Sequence, residues 1–458
     1  MHNTLYYILC GVCVALVLLG INLMSKVKLS VKGNLLSALA MAIAIVVTGI
    51  VTVEKFGTAF LLPMAIALVI GSFVGIVIAV KAKMIAMPQL IALLNGLGGA
   101  ASALVAGVTA ILGAASLFEG VTAGIALTIG AVTLTGSLVA AGKLARVLDA
   151  RPKFLPGHSL ITALLAIGCV VSVVLQAING NWAIANTVLS LALGVIFVMR
   201  VGGADMPITI SLLNSLSGVA GGIAGMAVND PLLVVVGGIV GASGLILTQD
   251  MCKAMNRKLI AILTGQTTAA AAAKAEPTRE AAPEESGKLT EQAVGETLRC
   301  AKKVIIVPGY GMALSQAQSK VAELASVLEN KGIEVKFAIH PVAGRMPGHM
   351  SVLLCEADID YDKLFMMEDI NDAFASCDIA LVIGANDVTN PAANTAEGTP
   401  IYGMPVLNVE NAPMAVFCNF DTKPGYAGVP NPLYDASNVL LMLGDAKESV
   451  EQLRSCLK

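Results

Sequence analysis

The chain has 458 residues, of which 56% are apolar and 13% charged, and a formal net charge of -2. The charged fraction is about half that of an ordinary soluble domain and indicates a membrane protein, while the near-zero net charge argues against a nucleic-acid-binding protein. Nine cysteines are scattered without metal-ligand spacing, and Cys10 and Cys13 lie inside an apolar run where packing is the expected role.

The first half of the chain is predicted to cross a membrane many times. A helix needs about 20 mostly apolar residues to span a bilayer, and the apolar excess lies before about residue 264. The first segment is not a cleaved signal peptide, because its basic cluster follows it. The segments long enough to span are 4–24, 34–53, 58–80, 85–113, 120–141, 158–178, 181–200, 206–228 and 232–250.

Charges between these segments predict the orientation. The loops after the even-numbered spans carry a single basic residue, Lys55. Because basic residues favour the cytoplasmic side of a membrane, the loops after the odd-numbered spans are predicted to be cytoplasmic. The N-terminus is therefore expected outside and the C-terminal part in the cytoplasm. The loops after the odd-numbered spans carry the other thirteen basic residues, Lys26, Lys28, Lys32, Lys81, Lys83, Lys143, Arg146, Arg151, Lys153, Arg200, Lys253, Arg257 and Lys258.

Small and polar residues inside the spans carry further information. Four GxxxG pairs predict close helix packing. Asn95 and Asn214 fall within spans, where polar side chains are costly and often mark transport pathways, although an interhelical hydrogen bond is an equal alternative. Asp205 lies just before the eighth span, where it could also stabilise the helix dipole. The four pairs are Gly71/Gly75, Gly218/Gly222, Gly221/Gly225 and Gly237/Gly241.

The character of the sequence changes after residue 264. Residues 265–288 contain five consecutive alanines followed by Pro277 and Pro283, which is typical of a linker. Residues 289–458 alternate short apolar runs with amphipathic stretches, the pattern of an α/β Rossmann-like domain with a parallel sheet. A helix is predicted from the first strand to about Asn330. The predicted strands are 303–307, 334–339, 379–383, 405–409, 415–418 and 439–443.

The end of the first predicted strand carries a dinucleotide-binding pattern. Gly309-Tyr310-Gly311 stands between a strand and a helix, where glycines permit a tight turn and let a pyrophosphate approach backbone N–H groups. The second strand ends without the Asp or Glu that usually bonds the ribose of NAD. Arg345 follows it instead, which favours a 2′-phosphate and hence NADP(H), unless Arg345 is only a loop charge. Asp387 follows a central strand, at the edge where ligands of open parallel sheets bind. The alternative is that Asp387 lies on a surface turn.

Seven segments together resemble the β subunit of the proton-translocating nicotinamide nucleotide transhydrogenases. They span both halves of the chain, so the resemblance is specific. The segments are GGADMP (202–207), MCKAMNR (251–257), PGYGMA (308–313), HPVAGRMPGH (340–349), VIGANDVTNPAA (382–393), GYAGV (425–429) and GDAK (444–447).

The resemblance implies a subunit that couples hydride transfer between NAD(H) and NADP(H) to proton movement across the bacterial inner membrane. NADP(H) would bind the C-terminal domain, and NAD(H) would bind a partner α subunit in a dimer of α–β units. Asn95, Asp205 and Asn214 match positions tied to proton movement, and no residue is expected to act as acid, base or metal ligand in the hydride step. The implied cofactor contacts are Gly309, Tyr310, Gly311, Met312, Ala313, Val342, Ala343, Gly344, Arg345, Met346, Pro347, Gly384, Ala385, Asn386, Asp387, Val388, Gly403, Met404, Lys423, Gly425, Tyr426, Ala427, Asp445 and Ala446.

Two departures from the family pattern stand out. Many members grip the 2′-phosphate with Lys-Arg where this chain has Cys418-Asn419, and Lys423 is the candidate replacement. Asn95 stands where some members place a proton-carrying histidine, so the proton path is expected to be shared with the partner. The competing hypotheses are an ion channel or transporter gated by a cytosolic nucleotide-binding domain and a structural membrane scaffold. The scaffold leaves the C-terminal motifs unexplained.

Overall fold

The computed structural model describes residues 3–24, 29–82, 86–145, 147–149, 152–202, 205–255, 258–264, 291–344, 348–397, 399, 401–425 and 427–457. This part of the chain divides into two compact units. The first contains long apolar helices, and the second is built mainly from the residues that follow them. The predicted linker at 265–288 lies outside the described residues.

The prediction of nine membrane-spanning helices is confirmed for the part of the chain that the structure describes. Helix ends shift by a few residues for local reasons. The fifth helix starts before its predicted position because the Ser116 side chain accepts a hydrogen bond from Glu119 N, and Glu119 accepts one from Ala115 N. The helices are α1 (Asn3–Met24), α2 (Ser30–Phe56), α3 (Leu61–Lys81), α4 (Met87–Leu112), α5 (Leu117–Leu144), α6 (His158–Ile178), α7 (Ala183–Met199), α8 (Met206–Val228) and α9 (Pro231–Ala254).

Glycines bring α8 and α9 into backbone contact, as the GxxxG pattern predicts for this pair. A Cβ atom on Gly237 would lie 2.3 Å from Gly222 N, and one on Gly218 would lie 2.5 Å from Gly241 N. Larger residues would force the two helices apart. For Gly71 and Gly75 of α3 a Cβ would meet no described atom within 4 Å, so close packing at this pair stays a prediction.

A hydrogen-bonded polar cluster centred on Asn186 joins α5, α6 and α7. The Asn186 amide nitrogen donates to Gly124 O at 3.1 Å and to Gln176 Oε1 at 2.9 Å. Its oxygen accepts from the hydroxyls of Thr128, Ser172 and Ser190 at 2.9, 3.0 and 3.2 Å. Asn186 is fully buried, so the five bonds satisfy a polar group that lipid would penalise. The cluster was not predicted from the sequence, although Asn186 and Gln176 lie within predicted spans.

The C-terminal domain contains a fully parallel six-stranded sheet in the order β3-β2-β1-β4-β5-β6. This is the order of a doubly wound Rossmann fold, so the predicted fold class is confirmed. Strands β1, β4 and β5 form its buried centre. The strands are β1 (Lys303–Pro308), β2 (Glu334–Ile339), β3 (Leu364–Met366), β4 (Ile379–Ile383), β5 (Ala415–Asn419) and β6 (Val439–Leu443).

Short helices connect these strands. The helix predicted after β1 is two helices, because the chain takes a left-handed turn at Gln316, where φ is 53°. The helices outside the nine spans are α10 (Leu259–Thr264), α11 (Glu291–Cys300), α12 (Tyr310–Ser315), α13 (Gln318–Asn330), α14 (His349–Glu356), α15 (Met367–Ile370), α16 (Ala392–Thr395) and α17 (Ala446–Ser455).

The strand predicted at 405–409 is wrong. This segment joins no sheet among the described residues, Val409 begins a 3-10 helix, and backbone groups of the segment bond elsewhere. Leu407 N donates to Val388 O at 2.9 Å, and the Asn371 side chain bonds Val406 O and Asn408 N. The sixth strand of the sheet is β3, at the edge next to β2, which the sequence analysis missed.

Candidate functional site

A cleft lies at the carboxyl edge of the sheet, where β1 and β4 are neighbours and their connections leave in opposite directions. Ligands of open parallel sheets bind at this switch point. Fourteen of the predicted cofactor contacts line it, together with Ile401, which was not predicted. The lining residues of the C-terminal domain are Gly309, Tyr310, Gly311, Val342, Ala343, Gly344, Gly384, Ala385, Asn386, Asp387, Val388, Ile401, Met404, Gly425 and Ala427.

The glycines of the first turn pack against the loop that follows β4. A Cβ on Gly309 would lie 2.2 Å from Gly384 O, and one on Gly384, where φ is +69°, would lie 2.3 Å from Met312 N. Gly309 N donates to Ile383 O and Gly311 N to Gly384 O, both at 2.8 Å. We expected these two N–H groups to be available to a pyrophosphate. The structure shows instead that both donate to backbone carbonyls of the protein. The glycines join two strand ends and leave the cleft walled by backbone.

Asn386 and Asp387 bond the backbone of Lys423 and Ala427. Asp387 Oδ2 accepts from Ala427 N at 3.0 Å, and the Asn386 amide donates to Lys423 O at 3.0 Å. Gly425 leaves no room for a side chain, since its Cβ would lie 2.6 Å from the Asp387 carboxylate. Asp387 is the one charged residue among the cleft-lining residues named above. Its carboxylate is a structural tie within the cleft wall.

His340 anchors the loop that follows β2. Its Nε2 lies 2.8 Å from Pro405 O, and Val342 N donates to its Nδ1 at 3.3 Å. Since Pro405 O can only accept, Nε2 carries the proton. Burial lowers the pKa of His340 to about 4, so the ring is neutral near pH 7. The start of the predicted 342–347 loop is thereby fixed at the cleft.

Gly344 lets His349 pack beneath the same loop. With φ at +106°, its Cβ would lie 2.5 Å from His349 Nδ1, and His349 is 1% exposed. The predicted contacts Arg345, Met346, Pro347 and Tyr426 lie outside the described residues.

The remaining predicted contacts do not line the cleft. Met312 and Ala313 are buried, and Gly403 is exposed and donates its N–H to Ala393 O. Asp445 is the N-cap of α17, with its side chain accepting from Lys447 N at 2.8 Å, and Ala446 is the first residue of that helix. Their cofactor contacts stay predictions.

The two residues at the position of the expected Lys-Arg pair belong to the sheet. Cys418 is fully buried in β5, and the Asn419 amide donates to Ala385 O at 2.9 Å and to the Tyr434 hydroxyl at 2.8 Å. Neither carries a cation. Lys423 has an 83% exposed side chain whose Nζ lies 3.5 Å from Asp421 Oδ2, which leaves it accessible to a phosphate.

In the membrane half, one of the predicted proton-path residues bonds the backbone of α8. Asn95 of α4 is 7% exposed, and its amide donates to Ile210 O at 3.3 Å. Ile210 lies one turn before Asn214, which is half-buried. Asp205, just before α8, is 2% exposed. Asn95 makes the interhelical hydrogen bond that was its alternative role.

Comparison with known proteins covers both halves of the chain. The profile of the family described as NAD(P) transhydrogenase beta subunit matches residues 4–455. The protein named NAD(P) transhydrogenase subunit beta of Rhodospirillum rubrum is 41% identical over 466 aligned positions, which cover 98% of this chain and 97% of that relative. A second Rhodospirillum rubrum sequence of the same name matches with the same identity and coverage. The chain belongs to the NAD(P) transhydrogenase beta subunit family.

Proposed function

We propose that this chain is the NADP(H)-binding, proton-translocating subunit of a transhydrogenase. The observation that carries the proposal is the glycine-walled cleft at the β1/β4 switch point, in a chain whose family match runs through both halves. A dinucleotide fits such a cleft because backbone and small side chains wall it. When bound, the nicotinamide supplies or accepts the hydride. The chain's own residues position it and need no acid, base or metal for that step.

The resemblance and the relative's name support a two-subunit arrangement. NAD(H) binds an α subunit, and the complex is a dimer of α–β units. The basic residues after odd-numbered spans support an inner-membrane location with the C-terminal domain in the cytoplasm. Moving one proton through 100 mV provides about 2.3 kcal/mol, or roughly a fifty-fold shift in product ratio. Proton movement thus supplies the driving force that hydride exchange between similar nucleotides lacks.

Asn95, Asp205 and Asn214 are proposed to line the proton route. Asparagine does not titrate in the physiological range, so Asn95 and Asn214 hold water or orient a carrier. Asp205 is the residue of the three that can exchange a proton. Its place before α8 supports a role in linking nucleotide occupancy to that helix.

The cofactor assignment is tested on the fragment from Lys288 to Lys458. Isothermal titration is expected to show tighter binding of NADP(H) than of NAD(H). Arg345→Ala and Lys423→Ala should each weaken NADP(H) binding while changing NAD(H) binding little, because each removes a charge-assisted contact to phosphate. Lys302→Ala, an exposed lysine before the amino end of β1, is the control and should change neither. Equal or tighter binding of NAD(H) by the unaltered fragment would remove the NADP(H) assignment.

A further inference from the structure

The C-terminal turn of α7 is held by titratable side chains from two other helices. A helix leaves its last four carbonyls without partners inside the helix. In α7, Lys143 Nζ of α5 donates to Met199 O at 2.6 Å and to Val198 O at 3.3 Å. His158 Nε2 of α6 lies 3.1 Å from Ile196 O. Three of the four terminal carbonyls therefore bond side chains from outside α7.

Both side chains are buried and oriented for this contact. Lys143 is 4% exposed and His158 is 6% exposed. Leu155 N donates to His158 Nδ1 at 3.3 Å, so Nε2 carries the proton that Ile196 O accepts. A buried ammonium is costly unless it is well bonded, and the negative end of a helix dipole favours a cation. Displacing the end of α7 would leave the Lys143 charge without these acceptors.

The rest of α7 is fastened to the same two helices. Thr135 of α5 donates to Leu191 O at 2.9 Å, and a Cβ on Gly194 would lie 2.5 Å from Val132 O. The Asn186 cluster joins all three helices near the N-terminal end of α7. Helices α5, α6 and α7 therefore form one hydrogen-bonded unit that ends at Met199, just before the segment that leads through Asp205 into α8.

We propose that Lys143 and His158, the α7 clamp, are positioning residues for proton coupling. This rests on the proposed function. The clamp holds α7 still, so that a displacement at Asp205 passes into α8, which carries Asn214, and is not lost by moving α7. Coupling between distant sites is carried by packed side chains, hydrogen-bond networks and rigid secondary elements, and the clamp makes α7 such a rigid element. Neither residue lines the cleft at the β1/β4 switch point, and in this proposal neither carries the proton.

The test measures protons pumped per hydride transferred in inverted vesicles containing this chain and its α subunit. Lys143→Met keeps the length of the side chain but removes its charge and donors. It should lower the ratio about five-fold, within the range for residues that transmit coupling, while hydride transfer continues. Lys143→Arg restores two donors and should return the ratio toward wild type. Lys153→Met, an exposed lysine of the following loop, is the matched control and should leave the ratio unchanged.

A purely structural cap would lower the amount of inserted protein without changing the ratio. A wild-type ratio in Lys143→Met, at normal or lowered abundance, overturns the proposal. If Lys143→Met does not accumulate, His158→Leu and His158→Gln decide the matter, since glutamine keeps a donor and leucine does not. Equal numbers of protons pumped per hydride in His158→Leu and His158→Gln overturn the proposal. A lower number in His158→Leu alone supports it. Wild-type vesicles without transhydrogenation would instead refute the proposed function.

Discussion

Gly384→Ala is expected to abolish NADP(H) binding and to lower the free energy of unfolding of the C-terminal domain by several kcal/mol. The backbone at Gly384 is left-handed, with φ at +69°, which costs an L-residue about 1–2 kcal/mol. The new Cβ would also lie 2.3 Å from Met312 N and 2.5 Å from Gly311 Cα, and overpacking adds about 1–3 kcal/mol. The β1 and β4 turns must separate, and both form the wall of the cleft.

Gly332→Ala is the matched control for Gly384→Ala. Gly332 is also left-handed, with φ at +82°, but a Cβ there would meet nothing within 4 Å. Gly332→Ala should lower the free energy of unfolding only by the cost of a left-handed backbone, about 1–2 kcal/mol. NADP(H) binding should not change. Urea denaturation and isothermal titration of the 288–458 fragment measure both effects. Equal loss of stability in the two variants would show that the β1/β4 contact is not what requires glycine.

Asn214→Leu is expected to abolish proton pumping and to slow reverse transhydrogenation. Leucine matches asparagine roughly in size but offers no hydrogen bond to water or a carrier, within a span where polar groups are scarce. Asn214 lies one turn after Ile210, whose carbonyl accepts from Asn95, so the change removes a polar side chain one turn from that hydrogen bond. NADP(H) binding to the isolated C-terminal fragment should not change, because that fragment lacks the residue.

A pH-sensitive dye in inverted vesicles measures this pumping. Asn181→Leu, an exposed asparagine between α6 and α7, makes the same chemical change away from the proposed route and should pump normally. Normal pumping by correctly inserted Asn214→Leu would place the proton path elsewhere in the bundle or mainly in the partner subunit.

The elements with a strong local pattern could be predicted from the sequence, and those that depend on distant partners could not. Strands β2, β4 and β6 match their predicted bounds, because β4 and β6 are short apolar runs and β2 begins by alternating charged with apolar residues. The run at 405–409 looks the same locally. Asn371 and Val388 take its backbone groups, and no sequence pattern indicates that pairing. Strand β3 has only three residues, too few for a period to appear.

The same division holds at the candidate site. The glycine motif and the loop after β4 were predicted and do meet at one cleft. The use of the Gly309 and Gly311 N–H groups by the β4 turn depends on the packing of two strand ends, which spacing does not reveal. Lys143 was predicted as a loop charge because a lysine near the end of a span normally reaches water. It lies in α5 and is buried because the end of α7 offers it two carbonyls.

The central claim is tested most directly by assaying membranes that contain this chain with and without an NAD(H)-binding α subunit. Reduction of an NADP+ analogue by NADH is followed together with the pH inside inverted vesicles. We expect hydride transfer and proton movement only when both subunits are present, and an uncoupler should alter the hydride rate. Nucleotide-dependent ion flux through this chain alone, without hydride transfer in the presence of the α subunit, would contradict the claim and favour a gated channel.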